Sequence, residues 1–160
     1  MRAGLSLGSN LGDRLSCLRQ ALNLLREKGL RILALSDVYE TPPWGVVDQP
    51  AFLNACILVE SDDEPGEMLE KLKSIEDEMG RIDRFRWGPR EIDLDILFMD
   101  DIAVNEKDLV IPHQEMHRRA FVLVPLMQIA PDWVHPLLGK SVKELAEQVE
   151  HKNIEKITSL

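Results

Sequence analysis

The amino-acid sequence predicts an α+β fold, in which strands and helices alternate along most of the chain. Three observations lead to this prediction. In some short runs apolar residues alternate with small or polar ones, which is the period of a strand, and in others they recur every three or four residues, which is the period of a helix. Glycine and proline separate the runs. The predicted order is strand, helix, strand, strand, helix, strand.

The first half of this order begins with an alternating run from Ala3 to Gly8, which predicts a strand. A helix is indicated next by leucines at helical spacing, and Gly29 lies where such a helix would end. Residues 30–39, rich in Leu, Ile and Val, predict a second strand. The helical leucines are Leu15, Leu18, Leu22 and Leu25.

The second half starts after a loop at 40–50 that is punctuated by proline and glycine. Residues 52–60 predict a third strand, and a helix follows from about Pro65 to Gly80. Loop 81–90 then leads to a fourth strand. This order is the ferredoxin-like βαββαβ arrangement, a mainly antiparallel sheet with helices packed on one of its faces.

Beyond Asp100 the pattern predicts a C-terminal helical extension. Residues 102–109 indicate a short hairpin, residues near 117–129 a helix, and the capping box that starts at Ser141 another helix. Residues 152–160 fit either a strand or a tail. We expect one domain over residues 1–160, because this length can bury a continuous core without disulfides.

Composition restricts the possible partners and compartment. The two cysteines, Cys17 and Cys56, form no Cys-x-x-Cys pair, which favours a reducing cytosol. The N-terminus has no long apolar segment, and no 18-residue apolar run occurs, so we expect a cytoplasmic protein without a membrane partner. A net charge of -9 argues against nucleic acid. A monomer is the default expectation.

Two aspartates interrupt the fourth predicted strand. In a strand Asp93 and Asp95 would share one face, with Cα atoms roughly 7 Å apart, while Ile92, Leu94 and Ile96 face the other way. Aspartate is unfavourable in strands, and two on one face repel unless water or a cation lies between them. Mg²⁺ accepts one or two protein carboxylates and completes its shell with water and phosphate oxygens. The alternative is an ordinary solvated strand face.

Several short motifs in fixed order resemble one family, 6-hydroxymethyl-7,8-dihydropterin pyrophosphokinase. The resemblance runs from about Ala3 to Pro131, and its most specific part is Arg-Trp-Gly-Pro-Arg followed by Asp-Leu-Asp. The motifs are Gly8-Ser9-Asn10, Thr41-Pro42-Pro43-Trp44-Gly45, Phe52-Leu53-Asn54-Ala55, Ile75-Glu76, Gly80-Arg81, Arg86-Trp87-Gly88-Pro89-Arg90, Asp93-Leu94-Asp95-Ile96-Leu97 and Ile111-Pro112-His113.

This resemblance implies the transfer of pyrophosphate from ATP, the co-substrate, to the hydroxymethyl group of hydroxymethyldihydropterin, with release of AMP. It makes Asp93 and Asp95 the ligands of two Mg²⁺ ions, and Arg81 and Arg90 further catalytic residues. Guanidinium groups suit this role because they pair with phosphate oxygens in a bidentate manner. Asp83 stands where the family often has an arginine, and Arg84 follows one position later.

For ATP, the resemblance implies contacts from the second helix, the following loop and the region after the hairpin. Lys73 stands where the family has a glutamine, and Val110 where it has a threonine, so these two contacts do not carry over unchanged. The expected ATP-binding residues are Lys73, Glu76, Arg84, Trp87, Arg90, Ile96, His113 and Arg119.

For the pterin, the resemblance implies an aromatic sandwich and polar groups at the edge of the ring. Phe52 and Phe121 could cover the ring faces, and Asn54 offers both a donor and an acceptor. Without the flanking motifs, the two phenylalanines would be interpreted as core residues. The expected pterin-binding residues are Thr41, Pro42, Trp44, Phe52, Asn54 and Phe121.

Other classes of protein remain as alternatives on the residues alone. An RNA-binding ferredoxin-like module would need exposed aromatic residues and a basic face, whereas the chain is acidic and has one tyrosine and four phenylalanines. A regulatory module that senses a small molecule would not need Asp93 and Asp95. A diverged enzyme could act on another heterocycle with the same carboxylates. His113 and His117 are four residues apart, but no third ligand for zinc is evident.

Overall fold

The computed structural model of the protein describes residues 1–42, 48–80 and 91–160. Their order of strands and helices begins as predicted, and the C-terminal part adds helices and a last strand. The elements are β1 (Arg2–Ser9), α1 (Arg14–Glu27), β2 (Arg31–Leu35), β3 (Asp37–Thr41), β4 (Phe52–Glu60), α2 (Pro65–Glu78), β5 (Asp93–Met99), β6 (Val104–Glu106), β7 (Leu109–Ile111), a 3₁₀ helix (Met116–Arg118), α3 (Ala120–Ile129), α4 (Val142–Glu147) and β8 (Glu155–Ser159).

One sheet organises the fold. Its strands lie in the order β5-β1-β4-β3-β8, and β2 also pairs with β4. Each of these pairings is antiparallel. The predicted α+β class with a mainly antiparallel sheet is therefore confirmed, and the core strands follow the spatial order fourth, first, third and second of a βαββαβ unit.

Helices cover both faces of this sheet. The apolar residues of α1 and α2 pack with alternate residues of β1, such as Leu5 and Leu7, in one core. The residues of α3 and α4 form a second core against the opposite face, with Cys56 and Phe98. The sequence interpretation placed helices on one face and a helical extension at the C-terminus. In the structure that extension covers the other face, because β4 and β5 carry apolar residues on both sides.

The predicted second strand, residues 30–39, is divided into β2 and β3 at Ser36. The Ser36 hydroxyl accepts a hydrogen bond from the Cys56 backbone N–H at 2.8 Å and donates to the Asp37 carbonyl at 2.8 Å. A serine hydroxyl that bonds to nearby backbone groups competes with the regular ladder. The strand therefore breaks where the serine takes over one of these bonds.

A bulge near the end of β5 changes the direction of its side chains. The register with β1 shifts between Gly4 and Leu5, and the consecutive residues Leu97 and Phe98 both join the second core. A Cβ on Gly4 would lie only 2.4 Å from the Phe98 ring, so the absent side chain makes room for that ring. Phe98 stacks on Trp133 with ring centroids 4.1 Å apart.

The C-terminal part differs in detail from its prediction. The helix expected near 117–129 is a 3₁₀ turn followed by α3, and residues 155–159 form strand β8 beside β3 rather than a tail. The predicted hairpin is present as β6 and β7. In the described ranges, no helix combines the length and the apolar character needed to span a membrane.

Candidate active site

A cleft of about 720 Å³ opens on the α3 side of the sheet, over the adjoining strands β4, β1 and β5. Its floor is made of small residues of β1. Gly8 lies between Asn54 of β4 and Asp93 of β5, and Ser6 is paired in the same way with Asp95. The small residues therefore leave space above the central strand, and polar side chains stand on both sides of that space.

The two aspartates of β5 both line this cleft and are half-buried. They lie two residues apart in a regular stretch of strand, so the predicted common face is present. Among the described residues, no three acidic, histidine or cysteine side chains are grouped as a metal site. A cation here would have to complete its shell with water or ligand oxygens, as Mg²⁺ commonly does beside phosphates.

Arg119 brings a positive charge to the same cleft. The residue is only 8% exposed. Burial lowers the pKa of its guanidinium, and the neighbouring carboxylates, of which Asp95 contributes most, oppose this shift. Its guanidinium carbon lies 5.6 Å from the centre of the Phe121 ring. The cleft therefore contains both acidic groups and a buried cation that suits a phosphate oxygen.

His113 lines the cleft as a neutral hydrogen-bond donor. Its pKa is lowered to about 4, first by burial and then by the positive charge of Arg119. The backbone N–H of Glu115 donates to His113 Nδ1 at 3.1 Å. Since Nδ1 accepts, the proton of the neutral ring resides on Nε2, and this N–H is the group that the ring can offer to a ligand.

A polar pair defines the opposite end of the cleft. The Asn54 side-chain amide donates to Thr41 Oγ1 at 2.6 Å, and the two residues are 8% and 3% exposed. This bond orients the amide, so that Asn54 Oδ1 lies near Gly8, where an added Cβ would come within 3.2 Å of it. Phe52, half-buried on the same face of β4, contributes an aromatic wall.

Glu76 supports the strand that carries the aspartates. Its side chain is 5% exposed, and its Oε2 accepts a hydrogen bond from the Leu94 backbone N–H at 3.0 Å. Leu94 is the residue between Asp93 and Asp95. A carboxylate of α2 therefore fixes the backbone of β5 at the centre of the acidic pair.

The structure brings most of the described candidates together. Neither Lys73, which is exposed on α2, nor the buried Glu76 is among the described residues that line the cleft. The predictions for Trp44, Arg81, Arg84, Trp87 and Arg90 lie outside the described residues. The candidates that line the cleft are Thr41, Pro42, Phe52, Asn54, Asp93, Asp95, Ile96, His113, Arg119 and Phe121.

Other lining residues had no assigned role in the sequence interpretation. Gly8 belongs to the Gly-Ser-Asn motif, which was a signal, although its place in the floor follows only from strand register. Val110, which replaces a threonine of the family pattern, also lines the cleft. No sequence signal marks the polar lining residues of the hairpin and the following turn, because these segments reach the cleft through tertiary contacts. These polar residues are Lys107, Asp108, Gln114 and Glu115, and Ser6 of β1 also lines the cleft.

Comparisons with a family model and with curated proteins agree on one family. A family model described as 7,8-dihydro-6-hydroxymethylpterin-pyrophosphokinase (HPPK) matches residues 4–131. The chain is 43% identical over 157 residues to the 2-amino-4-hydroxy-6-hydroxymethyldihydropteridine pyrophosphokinase of Methylorubrum extorquens, covering 98% of each chain. It is 44% identical over 140 residues to the protein of the same name from Aquifex aeolicus, covering 88% of this chain and 87% of that relative.

A solved structure shares the fold. The crystal structure of wild-type HPPK-DHPS from Plasmodium falciparum superimposes with a TM-score of 0.71 and 20% sequence identity. The match covers 98% of this chain and 47% of the Plasmodium chain. This chain therefore spans about half the length of that protein, and the likeness concerns the fold.

Proposed function

The chain belongs to the 7,8-dihydro-6-hydroxymethylpterin-pyrophosphokinase family, and we propose that its cleft binds ATP and the pterin together, with two Mg²⁺ ions held by Asp93 and Asp95. It is an ATP-dependent enzyme of folate synthesis, which transfers pyrophosphate to the hydroxymethyl group of 6-hydroxymethyl-7,8-dihydropterin and yields AMP. The alternative that the chain is a non-enzymatic ferredoxin-like module is therefore excluded.

One observation supports the proposed placement of the substrates. The acidic pair of β5 lies across Gly8 and Ser6 from the polar and aromatic residues of β4, in a single cleft. The hydroxyl that attacks and the phosphorus that is attacked must lie a few ångströms apart. A pterin beside Asn54 and a triphosphate beside Asp93 would meet above the glycine floor.

The carboxylates of Asp93 and Asp95 are suitable ligands for Mg²⁺. Two carboxylates on one strand face, beside space for phosphate oxygens, match the small number of protein ligands that Mg²⁺ takes. When bound, the ions neutralise charge on the attacking and leaving oxygens of the transferred group. Asp93 and Asp95 would hold the positively charged ions in the cleft, and Glu76 keeps the strand of the two aspartates in place.

Two hydrogen-bond donors further stabilise the negative charge on the phosphate oxygens. His113 offers its Nε2–H and Arg119 its guanidinium to the phosphate oxygens, where negative charge develops in phosphoryl-type transfer. A histidine with a pKa of about 4 donates without carrying a charge of its own. We assign binding rather than proton transfer to both residues.

The pterin is proposed to lie between Phe52 and Phe121. Its pyrimidine edge would face the Asn54 amide, which the bond to Thr41 already orients. Pro42 lies at the rim. By resemblance, Trp44 contributes to this end.

The remaining ATP contacts are also proposed by resemblance. Ile96 lines the cleft beside Asp95. Lys73 and Glu76 of α2 do not line the described part of the cleft, and their assignment to ATP rests on the resemblance alone. The loop residues assigned to ATP and catalysis are Arg81, Arg84, Trp87 and Arg90. We further propose that the chain acts as a cytoplasmic monomer, with residues 1–160 as one domain.

The experiment that tests this proposal is identification of the nucleotide product. The protein is incubated with ATP, Mg²⁺ and 6-hydroxymethyl-7,8-dihydropterin, and the products are separated by ion-exchange chromatography. We expect AMP in equal amount to the pterin diphosphate, with a strict need for Mg²⁺. Formation of ADP alone, or unchanged turnover in the presence of EDTA, would contradict the proposal.

A variant locates the reaction in the cleft. Asp95→Ala should keep the circular dichroism spectrum and lose nearly all turnover, because a carboxylate that holds Mg²⁺ is removed. Asp101→Ala, an exposed aspartate beyond the end of β5, is the matched control and should react as wild type. Substantial AMP formation by Asp95→Ala would refute the assignment.

A further inference from the structure

We propose that Arg14 is a positioning residue for the pterin. It acts from the α1 side of the sheet, where it holds the ends of β3 and β4 together behind the cleft. This inference rests on the proposed placement of the pterin between Thr41, Phe52 and Asn54. It concerns a residue that does not line the cleft among the described residues, and therefore acts through others.

The contacts of Arg14 join two strands through one nitrogen. Its Nη1 lies 2.8 Å from Glu40 Oε2 of β3 and donates to the carbonyl of Ala51, next to β4, at 3.0 Å. A guanidinium nitrogen of this type carries two hydrogens, so it can serve both acceptors at once. Arg14 is the first residue of α1, and the helix therefore fixes its backbone.

These contacts lie directly behind the pterin end of the cleft. β3 and β4 share three paired positions, of which Glu40 with Leu53 and Thr41 with Phe52 are the last two. Side chains alternate across a sheet, so Glu40 points to the α1 face while Thr41 faces the cleft. The contacts of Arg14 with Glu40 and Ala51 thus hold the backbone that presents Thr41 and Phe52 to the ligand.

A neighbouring contact from the same region acts on the same segment. The Asn10 side chain, 1% exposed, donates from Nδ2 to Gln49 Oε1 at 2.9 Å and to the Pro50 carbonyl at 3.0 Å. Asn10 and Arg14 together hold residues 49–51, which lead into Phe52. A ladder of three pairs would fray at its end without such support.

The partial exposure of the Arg14–Glu40 ion pair distinguishes a positioning role from a role in the stability of the fold. The side chains of Arg14 and Glu40 are 30% and 36% exposed. Partly exposed ion pairs contribute little to global stability. Removal of the guanidinium should therefore change the placement of Thr41 and Phe52 more than the stability of the fold.

The test compares Arg14→Met with Arg19→Met, an exposed arginine on the same helix, in steady-state kinetics. For Arg14→Met we expect the KM for 6-hydroxymethyl-7,8-dihydropterin to rise by about three- to tenfold, the size expected for a lost ion pair and hydrogen bond. The KM for ATP should stay within about twofold of wild type, and Arg19→Met should match wild type in both. Arg14→Lys, which can still donate to Glu40, should recover part of the pterin KM.

A double-mutant cycle tests whether Arg14 acts through Glu40. If it does, Glu40→Gln should raise the pterin KM less in the Arg14→Met background than in wild type. Equal increases in both KM values, or a pterin KM unchanged in Arg14→Met, would overturn the inference. A wild-type protein that forms no pterin-dependent AMP would instead refute the proposed function, so the two failures are distinguishable.

Discussion

His113 binds protons less readily in the folded protein than in the unfolded chain, because its pKa falls from 6.5 to about 4. Between these two values the unfolded state binds more protons, so the stability from this residue is present above pH 6.5 and is lost as the pH falls towards 4. We expect acidification through this window to destabilise the wild type by at most about 3 kcal/mol more than His113→Gln.

Urea unfolding at a series of pH values measures this difference. If wild type and His113→Gln lost stability in parallel between pH 6.5 and 4, the depressed pKa of His113 would be wrong.

Gly8 gives a second prediction for a single residue. A Cβ at this position would lie 3.2 Å from Asn54 Oδ1 and 3.5 Å from Phe52 Cδ1, at the proposed pterin end of the cleft. Gly8→Ala should therefore raise the KM for the pterin by about tenfold, on the order of 1.4 kcal/mol, and change the KM for ATP little. Steady-state kinetics with each substrate varied in turn measures the two values.

A substitution at another small residue serves as a comparison for Gly8→Ala. Gly66→Ala in α2, where an added Cβ meets nothing within 4 Å, should leave both KM values unchanged. A Gly8→Ala enzyme with the wild-type pterin KM would show that the pterin does not approach this part of β1.

Helix α2 and strand β5 act as one unit through Glu76. Its carboxylate accepts from the Leu94 N–H in a buried setting, so Glu76→Ala would leave a buried donor without this acceptor. We expect a loss of about 1–3 kcal/mol in the free energy of unfolding, together with a lower kcat because Asp93 and Asp95 lose support. Glu76→Gln, which keeps a side-chain oxygen, should lose less of both.

Chemical denaturation and kinetics of these variants test the link between the two elements. Glu70→Ala, an exposed glutamate on the same helix, should behave as wild type in both measurements. A fully active and fully stable Glu76→Ala protein would exclude any supporting role for the carboxylate.

Local sequence predicts some features of the strands and helices but not others. The shared face of Asp93 and Asp95 follows from the two-residue period of a strand, so it was readable from the sequence. The break between β2 and β3 was not, because it depends on a bond between Ser36 and Cys56, twenty residues away. Lys107 lines the cleft for a similar reason, since the hairpin reaches it through tertiary contacts.

At the scale of the whole molecule, the two cores have different roles. The core under α1 and α2 is built on the βαββαβ order that the sequence predicted. The core under α3 and α4 covers only part of the other sheet face, and the cleft occupies the part beside it. That division could not be predicted from periodicity, because β4 is apolar on both faces near Cys56 and becomes polar only at Asn54.

In the proposed active site, Asp93 and Asp95 hold two metal ions beside ATP. The most direct measurement is Mn²⁺ binding by electron paramagnetic resonance, with a nonhydrolysable ATP analogue and the pterin present. Wild type should bind two ions per chain, and Asp95→Asn at most one, because the analogue alone can retain an ion on its phosphates. Two ions in both proteins, or fewer than two in wild type, would rule out this role of the two aspartates.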